Sequence, residues 1–143
     1  MLCQLQGHCG CDMSVSLPAA CPYLPLPAVS QGRVRDLSLT DFPGQPLLVF
    51  FYPADWCDTE DLLELAAARP RFRRAGCQLL ACSTDSAAVH QQWVAASRAA
   101  GGLGGQIDLP LLSDRAGLLA GLLGLECEEE GGCQRALLLV DER

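Results

Sequence analysis

The feature that most constrains the fold of this chain is a series of short apolar runs separated by helix signals. The runs occupy residues 47–52, 77–82, 109–112 and 136–140. Runs of this length are typical of strands buried on both faces of a sheet. Polar residues able to cap a helix follow three of the runs, at Asp58 or Thr59, at residues 83–86 and at residues 113–114. Strands that alternate with helices predict an α/β sheet with crossover connections.

One folded domain is expected from a chain of 143 residues, half of them apolar. Residues 1–20 are rich in cysteine and glycine and show no periodicity, so we expect a mobile arm there. Residues 21–143 then form the domain. The first helix of that domain is expected to end near Gly76, and Pro70 could kink or split it.

Composition argues against several function classes. The net charge of −7 disfavours nucleic acid and anionic membranes as partners. No apolar run approaches the roughly 18 residues that span a bilayer. The first twenty residues hold no basic residue and no long apolar stretch, so no secretory signal is expected. We therefore expect a cytoplasmic, reducing environment with cysteines as thiols, and their odd number, nine, excludes complete pairing within one chain.

A candidate chemical site lies at residues 52–60, where the first apolar run passes into the first helix. Cys57 falls at the start of that helix. A thiol in the first turn of a helix faces unpaired N–H groups and the positive end of the helix dipole, and both favour the thiolate. A thiolate can attack a peroxide and become a sulfenic acid. The alternative is a structural role, because free cysteine is commonly a small buried apolar residue.

Several short motifs follow one another in register along residues 21–143. They are FFYPAD at 50–55, CDTE at 57–60, ACSTDS at 81–86, His90 with Trp93, GGLG at 101–104, PLLSD at 110–114 and RALLLVD at 135–141. In this order the chain resembles the peroxiredoxins, especially the typical two-cysteine group. The resemblance implies a thioredoxin-like sheet flanked by helices, and it implies no cofactor.

The same resemblance implies a role for each matching residue. Cys57 would be the peroxidatic cysteine, Pro53 would shield its pocket, and Glu60 would orient the region. Arg135 would lie beside the thiolate and stabilise negative charge. The implied partners are hydrogen peroxide and organic hydroperoxides as substrates, a thioredoxin-like protein or small thiol as reductant, and a second copy of the chain. For the HxxW pair, packing on a helix face is the expected role.

The chain departs from the family pattern at three places. Trp56 is followed at once by Cys57, where the family has three more residues, one of them a threonine that hydrogen-bonds the peroxide and the thiolate. Asp58 stands where the family has proline, and a carboxylate beside a thiol disfavours the thiolate. The sequence ends at Arg143, so we expect the family's C-terminal strand and helix to be missing and apolar surface to be exposed.

Two functions stay open on the sequence alone. The first is a thiol peroxidase that acts through Cys57 and is resolved by Cys127, Cys133, an N-terminal cysteine or an external thiol. The second is a non-catalytic, degenerate peroxiredoxin-like subunit that binds a partner or acts as a chaperone. We expect no metal, although one N-terminal cluster offers soft ligands without a typical zinc spacing: Cys3, His8, Cys9 and Cys11.

Overall fold

The computed structural model describes residues 2–7, 12–16, 23–127, 129 and 131–141. The strands are β1 Leu2–Gly7, β2 Asp12–Ser16, β3 Leu26–Ser30, β4 Arg33–Leu37, β5 Leu47–Phe51, β6 Gln78–Ser83, β7 Leu111–Ser113, β8 Glu126–Cys127, β9 Gly132–Cys133 and β10 Ala136–Asp141. The α-helices are α1 Thr59–Arg74, α2 Ala87–Ala95 and α3 Leu118–Leu122, with short 3₁₀ turns at Leu39–Asp41 and Arg98–Ala100.

A mixed eight-stranded sheet forms the centre of the domain, in the order β2-β1-β10-β5-β6-β7-β3-β4. Strands β5, β6 and β7 run parallel, and β10 is antiparallel to β5. Helix α1 joins β5 to β6, and α2 joins β6 to β7. The apolar runs at residues 47–52 and 77–82 therefore form neighbouring central strands, and the predicted α/β sheet with crossover connections is confirmed.

Each face of the sheet carries an apolar layer. Helices α1 and α2 cover one face, where Leu62 and Trp93 are fully buried. The other face is covered by α3 and the β8–β9 hairpin, which contribute Leu119 and Cys133 to the second layer. Burying a leucine-sized side chain stabilises the fold by roughly 1.5–3 kcal/mol. The sheet lies between these two layers. The candidate site lies at one end of the sheet, where β5 ends and β10 begins.

The helices end where loops satisfy their last carbonyl groups. Helix α1 continues through Pro70 to Arg74, and Gly76 then takes a left-handed φ of 77°. Helix α2 ends at Ala95, and the N–H groups of Leu103 and Gly105 bond back to its carbonyls at 2.9 and 2.7 Å. Among the described helices none is long and apolar enough to cross a membrane.

The N-terminal segment differs from its prediction. Where the sequence indicated an arm without regular structure within residues 1–20, β1 and β2 form a hairpin on the sheet. Strand β1 is antiparallel to β10 over six residue pairs, from Leu2↔Asp141 to Gly7↔Ala136. The expectation that β10 would lack a neighbouring strand is therefore wrong. Backbone N–H and C=O groups make this ladder, so it needs no apolar alternation that a sequence would reveal.

Deletion of residues 1–16 tests the role of this hairpin. We expect the free energy of unfolding to fall by about 2 kcal/mol or more, because each ladder hydrogen bond contributes roughly 0.5–1.5 kcal/mol. The bared edge of β10 should also promote self-association. Urea unfolding and light scattering of the shortened and full-length chains would check both effects. An equally stable chain with unchanged association would show that the hairpin adds nothing to the domain.

Candidate active site

The loop at residues 52–58 joins β5 to α1 and carries the candidate thiol. Trp56 takes a left-handed φ of 70°, which is uncommon for a bulky residue. Asp58 is the N-cap of α1, with φ −116° and ψ 29°. Cys57 is exposed and precedes this cap, so it lies outside the helix. The prediction that Cys57 belongs to the first helical turn is wrong, because the residue after it already has non-helical backbone angles.

The buried Asp55 side chain anchors the loop to the interior of the domain. Its carboxylate is buried and accepts hydrogen bonds from the Tyr52 hydroxyl at 2.7 Å and from His90 Nδ1 at 2.6 Å. Its backbone N–H donates to Asp85 Oδ2 at 2.8 Å, at the end of β6. Burial, and then the Asp55 carboxylate, raise the pKa of Tyr52 well above its ordinary value. The hydroxyl therefore stays a donor at neutral pH, and the loop is fixed to both β6 and α2.

His90 is a polar link between α2 and two other elements. The ring is fully buried, and Nε2 lies 3.0 Å from the carbonyl oxygen of Leu112 in β7. Because a carbonyl only accepts, Nε2 donates to Leu112, while Nδ1 shares a hydrogen bond with the Asp55 carboxylate. The sequence predicted helix-face packing for His90. The structure adds a buried hydrogen-bond pair, which the Pro-x-Asp and HxxW motifs together could have indicated.

A second anchor ties the start of α1 to the glycine-rich loop. The Thr59 hydroxyl donates to the carbonyl of Gly101 at 2.9 Å, and Trp93 Nε1 lies 3.3 Å from both oxygens. Gly102 has no room for a side chain, since a Cβ there would lie 2.3 Å from the carbonyl oxygen of Ala96. The GGLG motif therefore closes tightly on α2 and brings a hydrogen-bond acceptor to the first residue of α1.

Arg135 lies at the same end of the sheet, just before β10, and contacts two carboxylates. It forms ion pairs with Asp58, whose side chain is 1% exposed, and with Asp61 of α1, at 2.7 Å from Nη1. Cys57 is not among its partners in the described part of the chain. Sequence reasoning missed both acidic partners. The identity of Asp58 could have indicated this pairing, because a carboxylate next to the candidate thiolate competes with it for the Arg135 guanidinium.

Two further residues of the predicted site have other neighbours. Glu60 is exposed and pairs with Arg98 at 2.9 Å, so it faces away from the Arg135 pair. Pro53 is half-buried, and its carbonyl oxygen approaches the backbone of Gly132 so closely that a Cβ there would lie at 2.6 Å. The β8–β9 hairpin therefore supports the loop at Pro53, and Gly132 is required for that approach.

The other described cysteines differ from Cys57 in burial. Burial, and then the Asp114 carboxylate, raise the pKa of the Cys133 thiol to about 12, and its sulfur lies 3.0 Å from the carbonyl of Tyr52. Burial likewise raises the pKa of the Cys82 thiol and that of the Cys77 thiol. Cys127 is half-buried in β8. Of these five thiols, only Cys57 is exposed to solvent.

Residues 19–143 match the model of the AhpC/TSA family. The chain belongs to this family. It is 40% identical over 118 residues to peroxiredoxin-4 of Dictyostelium discoideum and 35% identical over 125 residues to thioredoxin peroxidase of Echinococcus granulosus. Its fold is similar to that of the reduced 2-Cys peroxiredoxin of Plasmodium vivax, with a TM-score of 0.77, 28% identity and 82% of this chain covered. The thioredoxin-like fold of a peroxiredoxin is thereby confirmed.

The peroxiredoxin match covers most of this chain but a smaller part of each relative. The alignments include 80% of this chain and 45% of the Dictyostelium protein, and 85% of this chain and 64% of the Echinococcus protein. The structural alignment with this chain includes 62% of the Plasmodium vivax protein chain. The chain thus spans about half to two-thirds of the length of these relatives.

The described residues hold no group of three or more histidine, cysteine or acidic side chains able to bind a metal ion. Of the N-terminal cluster considered above, His8, Cys9 and Cys11 lie outside the described residues.

Substitution His90→Ala tests the anchor beneath the loop. It leaves the buried Asp55 carboxylate and the Leu112 carbonyl without their partner, so we expect a loss of roughly 3–5 kcal/mol in the free energy of unfolding. The control is Gln91→Ala, at an exposed position of the same helix, for which a change within about 0.5 kcal/mol is expected. Urea unfolding would measure both, and equal effects would contradict the assigned role of His90.

The buried thiols and Tyr52 predict a loss of stability at alkaline pH. An unfolded cysteine ionises near pH 9.0 while folded Cys133 holds its proton to about 12, so the unfolded state loses protons first and stability falls as pH rises through that window. The midpoint of urea unfolding should be lower at pH 10.5 than at pH 8. Cys133→Ser, which keeps a donor to Tyr52, should reduce the difference. Identical midpoints at the two pH values would refute this linkage.

Proposed function

We propose that this protein is a thiol peroxidase in which Cys57 reduces hydrogen peroxide and organic hydroperoxides. The observation that carries the proposal is the placement of one exposed thiol on a loop fixed by buried hydrogen bonds, directly before the residue that contacts Arg135. A fixed loop supports catalysis because reacting groups must be held within about 1 Å of their productive positions. Family membership supports the same reaction.

The reaction balances as a two-electron oxidation of sulfur. The Cys57 thiolate attacks one peroxide oxygen, the O–O bond breaks, and the leaving alkoxide or hydroxide takes a proton to become an alcohol or water. The thiolate is left as a sulfenic acid. Arg135 would stabilise the negative charge on the leaving oxygen, and Pro53 would shield the thiol from bulk water. Glu60, paired with Arg98, would act only by positioning the start of α1.

We propose an external thiol as the resolving group, and the burial of Cys133 supports this choice over Cys133. Cys133 is buried, holds its proton to about pH 12 and donates to the Tyr52 carbonyl, so it is a poor nucleophile at neutral pH. An external thiol would condense with the sulfenic acid, form a mixed disulfide and release water. A second thiol would then reduce that disulfide. A thioredoxin-like protein or a small thiol in a reducing, cytoplasmic setting would supply both, as the name of the Echinococcus relative, thioredoxin peroxidase, suggests.

The second candidate function is a non-catalytic subunit that binds a partner or a second copy of the chain. One observation favours it: Arg135 contacts Asp58 and Asp61 rather than the thiol. An apolar groove beside α1 also offers a contact surface, lined by Phe50, Leu65, Ala68 and Leu137 with Asp61 and Glu64 at its rim. This function predicts that peroxide leaves Cys57 unchanged.

Titration with hydrogen peroxide separates the two functions. At one equivalent of peroxide we expect Cys57 to be trapped as a sulfenic acid adduct of dimedone in peptide mass spectra, because it is the exposed one among the five thiols whose burial the structure describes. Cys57→Ser should abolish both this adduct and peroxide consumption with glutathione or thioredoxin as reductant. Cys77→Ser is the control and should retain both. If peroxide oxidises Cys57 no faster than Cys77, the peroxidase proposal fails.

A further inference from the structure

Asp58 is a buried carboxylate placed between an exposed thiol and a cation. Its side chain is 1% exposed, and its recorded partner is Arg135, with no other hydrogen bond to either oxygen among the described residues. Although it is the N-cap of α1, its side chain makes no capping hydrogen bond. The Asp58 side chain therefore does not cap the helix, which is the usual role of an aspartate at this position. Its contact in the structure is the ion pair with Arg135.

Burial of the Asp58 carboxylate stabilises its ion pair with Arg135. A buried charge costs several kcal/mol unless it is paired, so the carboxylate stabilises the guanidinium position that compensates it. Arg135 itself is 43% exposed, so the buried Asp58 carboxylate is its contact on the side facing the protein interior. Asp61 adds a second contact at 2.7 Å from the outside. Two carboxylates thus share one guanidinium, and the local charge is negative.

Cys57 directly precedes Asp58 in the chain, and its thiolate is a second anion that a nearby guanidinium would stabilise. Adjacent Cα atoms lie about 3.8 Å apart, so the cation that contacts residue 58 is one residue away from the thiol. In water an aspartate is ionised at neutral pH, whereas most of a cysteine is not. The carboxylate is therefore the stronger partner for the cation unless it is neutralised or removed.

We propose that Asp58 is an inhibitory positioning residue, which binds Arg135 in place of the Cys57 thiolate and so lowers the reactivity of this thiol. The inference rests on the proposed function because both involve the Cys57 thiol. The property that it describes is the ionisation of this thiol, whereas the proposed function describes its oxidation. The charged and titratable side chains around the loop in the described part of the chain are Asp55, Asp58, Glu60, Asp61, Asp85, His90, Arg98 and Arg135. Asp55 and Glu60 have their own partners, His90 and Arg98, which leaves Asp58 and Asp61 to occupy Arg135.

The test measures alkylation of Cys57 by iodoacetamide as a function of pH, followed by peptide mass spectrometry. Asp58→Asn should move the profile to lower pH and raise the rate at pH 7 by about tenfold, because an adjacent cation favours the thiolate by one pH unit or more. The double variant Asp58→Asn with Arg135→Gln should lose this gain and return to within about threefold of the parent. Asp61→Asn, which leaves Asp58 on the cation, is the matched control and should change the rate by less than threefold.

Two results would overturn the inference. One is an unchanged profile for Asp58→Asn, and the other is an equal gain with and without Arg135, which would mean that the guanidinium takes no part. Thermal unfolding of each variant checks that the domain is folded, and Asp58→Ser serves if the asparagine variant is not. Because alkylation needs no peroxide, an Arg135-dependent gain in a protein that peroxide does not oxidise would support this inference while the peroxidase proposal failed.

Discussion

The buried hydrogen bond between Asp55 and His90 is the interaction on which the geometry of the site depends. A carboxylate in the interior is tolerated only when its oxygens are bonded, and here Tyr52 and His90 supply the two donors. Since Tyr52 directly follows β5, His90 lies in α2 and Leu112 lies in β7, this network links the loop to three elements. The loop is therefore a fixed part of the fold, although it lies at the surface.

The position of the cation follows from how the short loop meets α1. The loop places Asp58, rather than the thiol, at the buried N-cap, where it faces Arg135 at the start of β10. The exposed thiol then lies one residue outside the charge pair. The charges beside the thiol are therefore those of the Asp58 carboxylate and the Arg135 guanidinium that it contacts.

Burial divides the cysteines into two chemical classes. Cys82 and Cys133 lie in the apolar layer beneath the sheet and keep their protons to strongly alkaline pH. They act as small core residues, and Cys133 also fastens the β8–β9 hairpin to the carbonyl of Tyr52. Among the five thiols whose burial the structure describes, Cys57 is the exposed one, and exposure is what makes it the candidate for reaction with a soluble oxidant. The same residue type thus serves packing and candidate chemistry within one domain.

The sequence by itself determined the central strands, the first helix and the family, because apolar runs, capping residues and ordered motifs are local patterns. Tertiary structure decided the contacts. Glu60 and Asp61 are neighbours in sequence, yet one helical residue turns the side chain by about 100°, so Glu60 meets Arg98 while Asp61 meets Arg135. The pairing of β1 with β10 was equally hidden, since backbone groups make it. Which carboxylates contact Arg135 is decided by the direction in which each side chain leaves the folded backbone, and residue spacing alone does not give that direction.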